Sequence, residues 1–580
     1  MSDSYLAELV DGRVRDLFGD AWKELPAQVD AADGSIVAVR EGASGPSVEA
    51  VIAPGGGALA SMYALAARHR LDPRFPEAVT REVERVLAKP GTDDPAITDL
   101  TSVPFVTVDG PGTRDLDQAL FVTRADGGFR VDYAIADAAY YVQPGTALFT
   151  EALRRGASYY LPGLSIPMLP RTLSEGIVSL NAGVVRRALV LRMHLDAEGR
   201  VQHTEVVRAR LESRAKLTFD DVDRFLQNDD APEPAPGAGE SLRTMRIVGE
   251  LRRRDAERRD VPRYFRHERD LTIDESGLRF TVGDARRSPV EGYNEQLSLL
   301  CNIEGARLLL EGDRVDDDIQ PIYRVHPRPD AERMQELEKF LAAIATHHRL
   351  DGPEWRWRRE QGQSLAQFLA GLPEHGRHAR IAAAMHRQAV MSNLRSTYSE
   401  EPSRHHGVGA EVYARFSSPM REIVGVFVHK ELLEKLGLDE ARDRTADETL
   451  AARVVERGGE ARQLQKRLTK EAMRIALDQL FAEDDRLRRD TRPLRSGTLM
   501  ALTRGKLHVL LDDPGVEVKI YTRHLERQLR TRVDTSPDGI ALVDAHGKTL
   551  WRLGDAVNVQ LVGRDRKDDR WKLSLIKANG

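Results

Sequence analysis

Apolar positions in the first stretch of the chain recur at helical spacing. Leu6, Leu9, Val10, Leu17 and Phe18 are separated as one face of a helix would require. Residues 35–40 and 48–52 alternate like two strands across a Gly-Ala-Ser-Gly-Pro turn. Residues 58–69 and 76–87 return to the helical period, the second with Val79, Val83, Val86 and Leu87 on one face. Helices around one hairpin predict a winged-helix-like module over residues 1–95, or a helical cap on the next domain. Strand-like runs are too few there for a five-stranded barrel. From Thr98 the pattern mixes both periods. It predicts a hairpin of 119–122 with 129–135 around Gly127-Gly128, and a second of 188–195 with 201–208. Residues 228–240, rich in Asp, Pro, Gly and Ala, predict an exposed loop. Helices are then predicted at 242–259, 295–310, 331–348, 377–394, 419–435 and 461–481. The tail changes again: short strand-like runs at 497–503, 506–511, 516–521, 557–562 and 572–576 predict a small barrel.

Length and composition narrow this picture. A chain of 580 residues exceeds one core, and about 150 residues per domain gives roughly three or four. With 41% hydrophobic and 31% charged residues the chain reads as globular, not disordered. No apolar run approaches the roughly 20 residues a membrane helix needs, and Met-Ser-Asp-Ser-Tyr lacks signal-peptide features. A cytoplasmic protein is expected. The lone Cys301 excludes an internal disulfide framework and a cysteine-rich zinc site. A net charge of −5 does not announce a nucleic-acid binder, yet a binding channel needs only a local excess of Arg and Lys. Nothing calls for obligatory oligomers, so a monomer is expected.

The candidate chemistry centres on residues 106–120, where Asp109, Asp115 and Asp117 fall close together. Gly110-Pro111-Gly112 cannot continue a strand, which predicts strand, tight loop, strand with acidic groups at the mouth. Asp115 and Asp117 are two apart, so on extended backbone they point the same way. Such a group suits a hard divalent cation; the alternative is a solvated acidic turn. Ser418-Pro419-Met420-Arg421 reads as a helix start, with Ser418 capping and Pro419 at the first position. Arg421 beside free backbone N–H groups could take a phosphate, or the stretch is an ordinary cap. Tyr159-Tyr160-Leu161-Pro162-Gly163 puts aromatics on a stiff turn, for stacking on bases or for packing. His405-His406 are assigned no metal.

Taken in order, these segments resemble the ribonuclease II and ribonuclease R exoribonucleases. The resemblance rests on the segment Asp-Leu-Thr-Ser-Val-Pro-Phe-Val-Thr-Val-Asp from Asp99, the acidic loop, and Ala134-Ile-Ala-Asp137. It continues through Tyr160-Leu-Pro-Gly163, Ile166-Pro-Met-Leu-Pro170, Ser179-Leu-Asn181 and Ala215-Lys-Leu-Thr218. It ends with Tyr398-Ser399, His405-His-Gly-Val-Gly409 and the run from Tyr413 to Arg421. It implies an α+β multidomain chain, with an RNB catalytic domain of mixed β-sheet and helices over 96–492. That domain would be flanked by the winged-helix-like residues 1–95 and by a C-terminal OB-fold barrel of the ribosomal-protein S-one type over 493–580. The family degrades single-stranded RNA from its 3′ end, processively and with magnesium, to nucleoside 5′-monophosphates. Carried over, Asp109, Asp115 and Asp117 would hold metal and activate water. Arg421 would clamp the scissile phosphate, and Tyr160 would stack on the terminal base. Tyr323 and His326 are candidates for a second stacking group, and Glu471 for a late carboxylate. Two departures matter. The family's loop usually ends Asp-x-Asp-Asp, and here it ends Asp115-Leu-Asp117-Gln118. Gln118 offers a carbonyl oxygen to the metal but no charge, so a catalytically weakened RNA-binding protein is the alternative. The helical N-terminal pattern also differs from the family's paired cold-shock barrels. A winged-helix DNA-binding regulator is the third reading.

Overall fold

Alternation, not helical period, governs the first segment. The computed structural model describes residues 4–26, 28–43, 45–125, 127–228, 230–261, 270–283, 288–311, 319–439, 444–565 and 569–577. Ala7 and Leu9 on the strand Ser4–Val10 and Val14 on Arg13–Asp16 all point into one buried cluster. Asp11 and Gly12, both at positive φ, close the turn between Val10 and Arg13, an Asp-Gly hairpin that matches the strand twist. The helix expected over Leu6 to Phe18 is therefore a hairpin. Instead of helices around one hairpin, residues 4–53 form a five-stranded antiparallel sheet in the order Trp22–Glu24, Arg13–Asp16, Ser4–Val10, Ile36–Gly42, Gly45–Ala53. The helices Ala58–Arg68 and Glu77–Ala88 come next, as predicted. Ser44 of the first predicted turn and Asp229 of the predicted loop lie outside the described residues.

The two predicted hairpins build the central sheet. Its order is Thr98–Asp99, Val201–Glu212, Val185–Leu195, Gly128–Ala136, Gln118–Ala125, antiparallel except for the short parallel Thr98–Asp99. One face is near-continuous Val, Leu, Ile and Ala and is fully buried. Helix Gly239–Arg258 lies against Gln118–Ala125 and against helix Pro289–Leu310, which also meets Ile423–Lys435. At the end of this layer, Thr107–Asp109 pairs in parallel with Lys216–Thr218.

Helix Arg444–Asp485 is twice the expected 461–481. Its 42 residues span about 60 Å at 1.5 Å per residue. It touches Ala58–Arg68, the strand Tyr159–Leu161 and the C-terminal strand Ala556–Asp565, so it ties the three regions together. The C-terminal strands occur where predicted. They form a five-stranded sheet in the order Glu517–Tyr521, Lys506–Leu511, Arg495–Thr503, Ala556–Asp565, Arg570–Lys577, with a separate meander of Val533–Thr535, Ala541–Asp544 and Thr549–Arg552. The two edge strands of the five approach each other, but no ladder closes a barrel among the described residues. Among those residues no helix is long and apolar enough to cross a membrane.

Candidate active site

The acidic loop is shaped by its own sequence and pinned from below. After Asp109 the Gly110-Pro111-Gly112 turn leaves the sheet, and Thr113 N–H donates to Gly110 O at 3.1 Å. Lys216, on the paired strand, donates its ammonium to Pro111 O at 3.4 Å and to Thr113 O. Leu116 is buried, its N–H donating to Ser179 Oγ at 3.0 Å and its carbonyl accepting from Leu180 N–H at 3.0 Å. With Leu116 turned inward, Asp115 and Asp117 on either side share a face.

Arg421 comes to that face from a residue more than three hundred positions away. Its Nε lies 3.1 Å from Asp115 Oδ2 and 2.9 Å from Asp117 Oδ2. Its Nη2 donates to Asp115 O at 3.0 Å and to Asp115 Oδ1 at 3.3 Å. The predicted helix start is corrected here. Arg421 and Glu422 N–H groups donate to Ser418 O in a turn, and the helix begins only at Ile423, with no side-chain cap. The N–H of Met420, expected to be free for an anion, donates to Asp117 Oδ1 at 3.0 Å.

Burial dominates the electrostatics. It pushes the Asp109 carboxyl up to about 6, with Arg421 opposing. It pushes Asp117 up to about 7, again opposed by Arg421 and reinforced by Asp115. Burial also works against the Arg421 charge, but Asp117 and Asp115 outweigh it and hold the guanidinium above its ordinary range. Asp117 Oδ2 is buried and makes no hydrogen bond, its only charged contact being Arg421 Nε at 2.9 Å. The site is thus rich in carboxylate oxygens and short of positive charge.

Tyr160 projects over this cluster, 45% exposed, with its hydroxyl 3.4 Å from Asp115 Oδ2. It helps to line a cavity of about 470 Å³ with Arg114, Asp115, Arg171, Glu175 and Arg421. Gln465, on the long helix, was not singled out in the sequence. Its side-chain amide accepts from Tyr160 N–H at 2.9 Å and donates to Tyr160 O at 2.9 Å, gripping that backbone at two points. Gln118 begins the strand after Asp117, and its carbonyl oxygen accepts the Tyr133 hydroxyl.

Other expectations fall away. Tyr323 is 1% exposed, too buried to stack. His326 commits one ring nitrogen to Leu394 O at 2.8 Å and accepts Gly407 N–H at 3.0 Å on the other. Glu471 pairs with His69 at 3.1 Å, not with the acidic loop. A second carboxylate group, Glu431, Glu434 and Asp447, already surrounds the Lys430 ammonium at 2.7, 3.0 and 2.8 Å, so its charge is met from within.

A family model of the RNB domain matches residues 97–437. Ribonuclease R of Vibrio parahaemolyticus is 27% identical over 534 residues, 88% of this chain and 60% of that protein. Exoribonuclease 2 of Cronobacter sakazakii is 29% identical over 505 residues, 85% of this chain and 72% of that protein. The chain therefore spans less than two thirds of the Vibrio relative's length. Among solved structures, Mycoplasma genitalium RNase R in complex with ribose methylated single-stranded RNA shares the fold. Its TM-score is 0.78 at 20% identity, covering 99% of this chain and 90% of that one.

Proposed function

The chain belongs to the RNB domain family, and on that premise we propose that it is an exoribonuclease. It removes nucleoside 5′-monophosphates processively from the 3′ end of single-stranded RNA, with magnesium. One observation carries this reading: Arg421 converges on Asp115 and Asp117 across the mouth of the acidic loop, at 3.1 and 2.9 Å. The residues fit a hard cation. Three carboxylates supply oxygen donors, and Asp117 Oδ2 is buried without a hydrogen bond. Asp109, Asp115 and Asp117 would hold magnesium, with Gln118 as a neutral neighbour whose carbonyl is already engaged by Tyr133. When bound, the ion would acidify water and stabilise negative oxygens at phosphorus.

The chain's own groups then divide the work. Water oxygen bonds to the last phosphorus as the bond to the preceding 3′ oxygen breaks. The leaving 3′ oxygen takes the electron pair of the broken bond and a proton from solvent, so the shortened RNA ends in a 3′ hydroxyl, and the released nucleotide keeps the 5′ phosphate. Asp117 receives the water proton. Arg421 turns its planar fork to the phosphate, a two-pronged match. Tyr160 stacks on the terminal base and sets where the strand stops. Residues 96–492 act as the catalytic domain and 493–580 as an RNA-binding domain of OB type, with 1–95 at the entrance.

Digestion of 5′-labelled single-stranded RNA tests this. A short labelled end product should accumulate along with mononucleotides, and Asp117→Asn should abolish both. No end product, or wild-type activity in Asp117→Asn, would refute it. Gln118 favours one alternative, an RNA-binding protein with weakened catalysis. Under that reading RNA binds without cleavage, and Gln118→Asp creates activity.

A further inference from the structure

Beside the acidic site lies a second charge imbalance, of opposite sign. Arg324 and Arg462 both direct their guanidinium groups at the Ser396 hydroxyl, at 3.4 and 3.1 Å. Both also lie over the Tyr398 ring, 6.0 and 5.7 Å from its centroid. Two like charges are thus held on one hydroxyl and one ring. Arg395 adjoins Ser396, and Lys466 stands one helical turn beyond Arg462; both are exposed. Burial first, and then Arg462, Arg395 and Arg324, depress the Lys466 ammonium, which places all four cations within each other's field. Among the described residues none of the four has a carboxylate at ion-pair distance. Glu422, whose charge is felt by Arg324 and Arg462, is itself committed to Arg415 at 3.1 Å and to the Tyr398 hydroxyl.

We propose that Arg324, Arg395, Arg462 and Lys466 anchor a phosphodiester of the single-stranded RNA, separate from the phosphate at Arg421. The inference rests on the exoribonuclease reading and deepens it. Four cations with one shared and already committed carboxylate carry a net positive charge that attracts anions, and arginine forks match phosphate oxygens in pairs. Its place suits an RNA path. Gln465, which grips the Tyr160 backbone, sits between Arg462 and Lys466 on the same helix. Glu422, under the cluster, adjoins Arg421. The anchor therefore fixes the strand upstream of the cleaved bond and acts on binding, not on the chemical step.

Anisotropy of a labelled single-stranded RNA, measured across salt concentrations in the Asp117→Asn protein, separates binding from cleavage. Replacing Arg324 and Arg462 together by Gln should weaken binding about tenfold and lower the salt slope by about one. Arg395→Gln with Lys466→Gln alters only exposed side chains. It should act in the same direction at an unchanged melting temperature. With Asp117 restored, this second pair should raise KM and leave kcat in place. If the parent binds RNA and both pairs bind it with the same affinity and salt slope, the anchor is refuted alone. If the parent binds no RNA, the functional reading fails and the anchor with it.

Discussion

Asp117 is the side chain most at odds with its surroundings. It is 4% exposed, its second oxygen meets only the Arg421 guanidinium at 2.9 Å and makes no hydrogen bond, and burial pushes its carboxyl from 3.8 to about 7. An unfolded chain releases this proton near 3.8, the folded chain only near 7. The contribution of Asp117 to the stability of the metal-free protein is therefore fully present below about pH 4, is lost as pH rises from there to about 7, and levels off above it. Each tenfold in proton affinity is worth about 1.4 kcal/mol, so the loss is roughly 4 kcal/mol. Asp117→Asn, melted with a chelator at pH 8, should be more stable than wild type, and the difference should vanish near pH 4. Magnesium should then raise the wild-type melting temperature more than that of the variant, because it binds only the folded carboxylates. Equal melting of the two proteins at pH 8 would contradict the buried charge. Arg421→Lys keeps the charge but loses the planar fork that reaches Asp115 and Asp117 together. Its kcat should fall by about 10² to 10³, the loss typical of a transition-state charge donor. These residues were legible because clustered Asp beside a Gly-Pro-Gly turn is a chemical pattern in itself. Gln465 was not, since one glutamine on a solvated helix face looks like any other.

At the scale of elements, the hairpins of the central sheet and the C-terminal strands lie where the pattern puts them, and the departures concern helices. The buried positions of Ala331–His347, Leu337, Leu341, Ile344 and Ala345, repeat along one face, and the period finds them, whereas Pro289–Leu310 is buried on more than one side and is found by its long apolar run. Leu6, Leu9, Val10 and Leu17 fit the same period by accident. What decided against a helix was Asp11-Gly12, a two-residue turn at positive φ that no helix interior tolerates. The start at Ser418-Pro419 was misplaced because Ser418 offers its carbonyl, not its hydroxyl, to the turn. Helix Arg444–Asp485 shows an element acting at a distance. Gln465 holds the short strand Tyr159–Leu161 by both backbone groups of Tyr160, as an added strand would. Two hydrogen bonds of about 1 kcal/mol each fix the height of the aromatic ring. Gln465→Ala should leave the melting temperature nearly unchanged but replace one dominant end product by a ladder of lengths. In a Tyr160→Ala background the same change should have no further effect on product length. An additive effect would mean that Gln465 does not work through Tyr160.

The whole molecule is less divisible than its three-part sequence suggests. The pattern change near residue 495 marks where strands begin, not where a core ends. Ile381, Met385 and Phe481, from the preceding helices, share one buried cluster with Leu499, Val509, Val559 and Leu575 of the C-terminal sheet. Polar contacts cross the same boundary. Arg380 pairs with Asp512 at 2.6 Å, and Gln388 donates to Met500 O at 2.9 Å. His348 meets Leu553 O at 2.6 Å. Sequence periods report which face of an element is buried, but not which neighbour buries it. A chain ending at residue 492 would therefore lose more than an RNA-binding surface. It would uncover the apolar faces of Ala331–His347 and Ala379–Ser392, at about 25 cal/mol for each Å² exposed to water. The expected outcome is a lower, broader melting transition, binding of a hydrophobic dye, and early proteolysis between residues 330 and 392. The central sheet, whose buried cluster is distinct, should keep its protection. A truncated chain that melts as sharply as the full one and binds no dye would show that these helices bury their faces without the C-terminal sheet. The boundary drawn at 492 would then be a true domain limit.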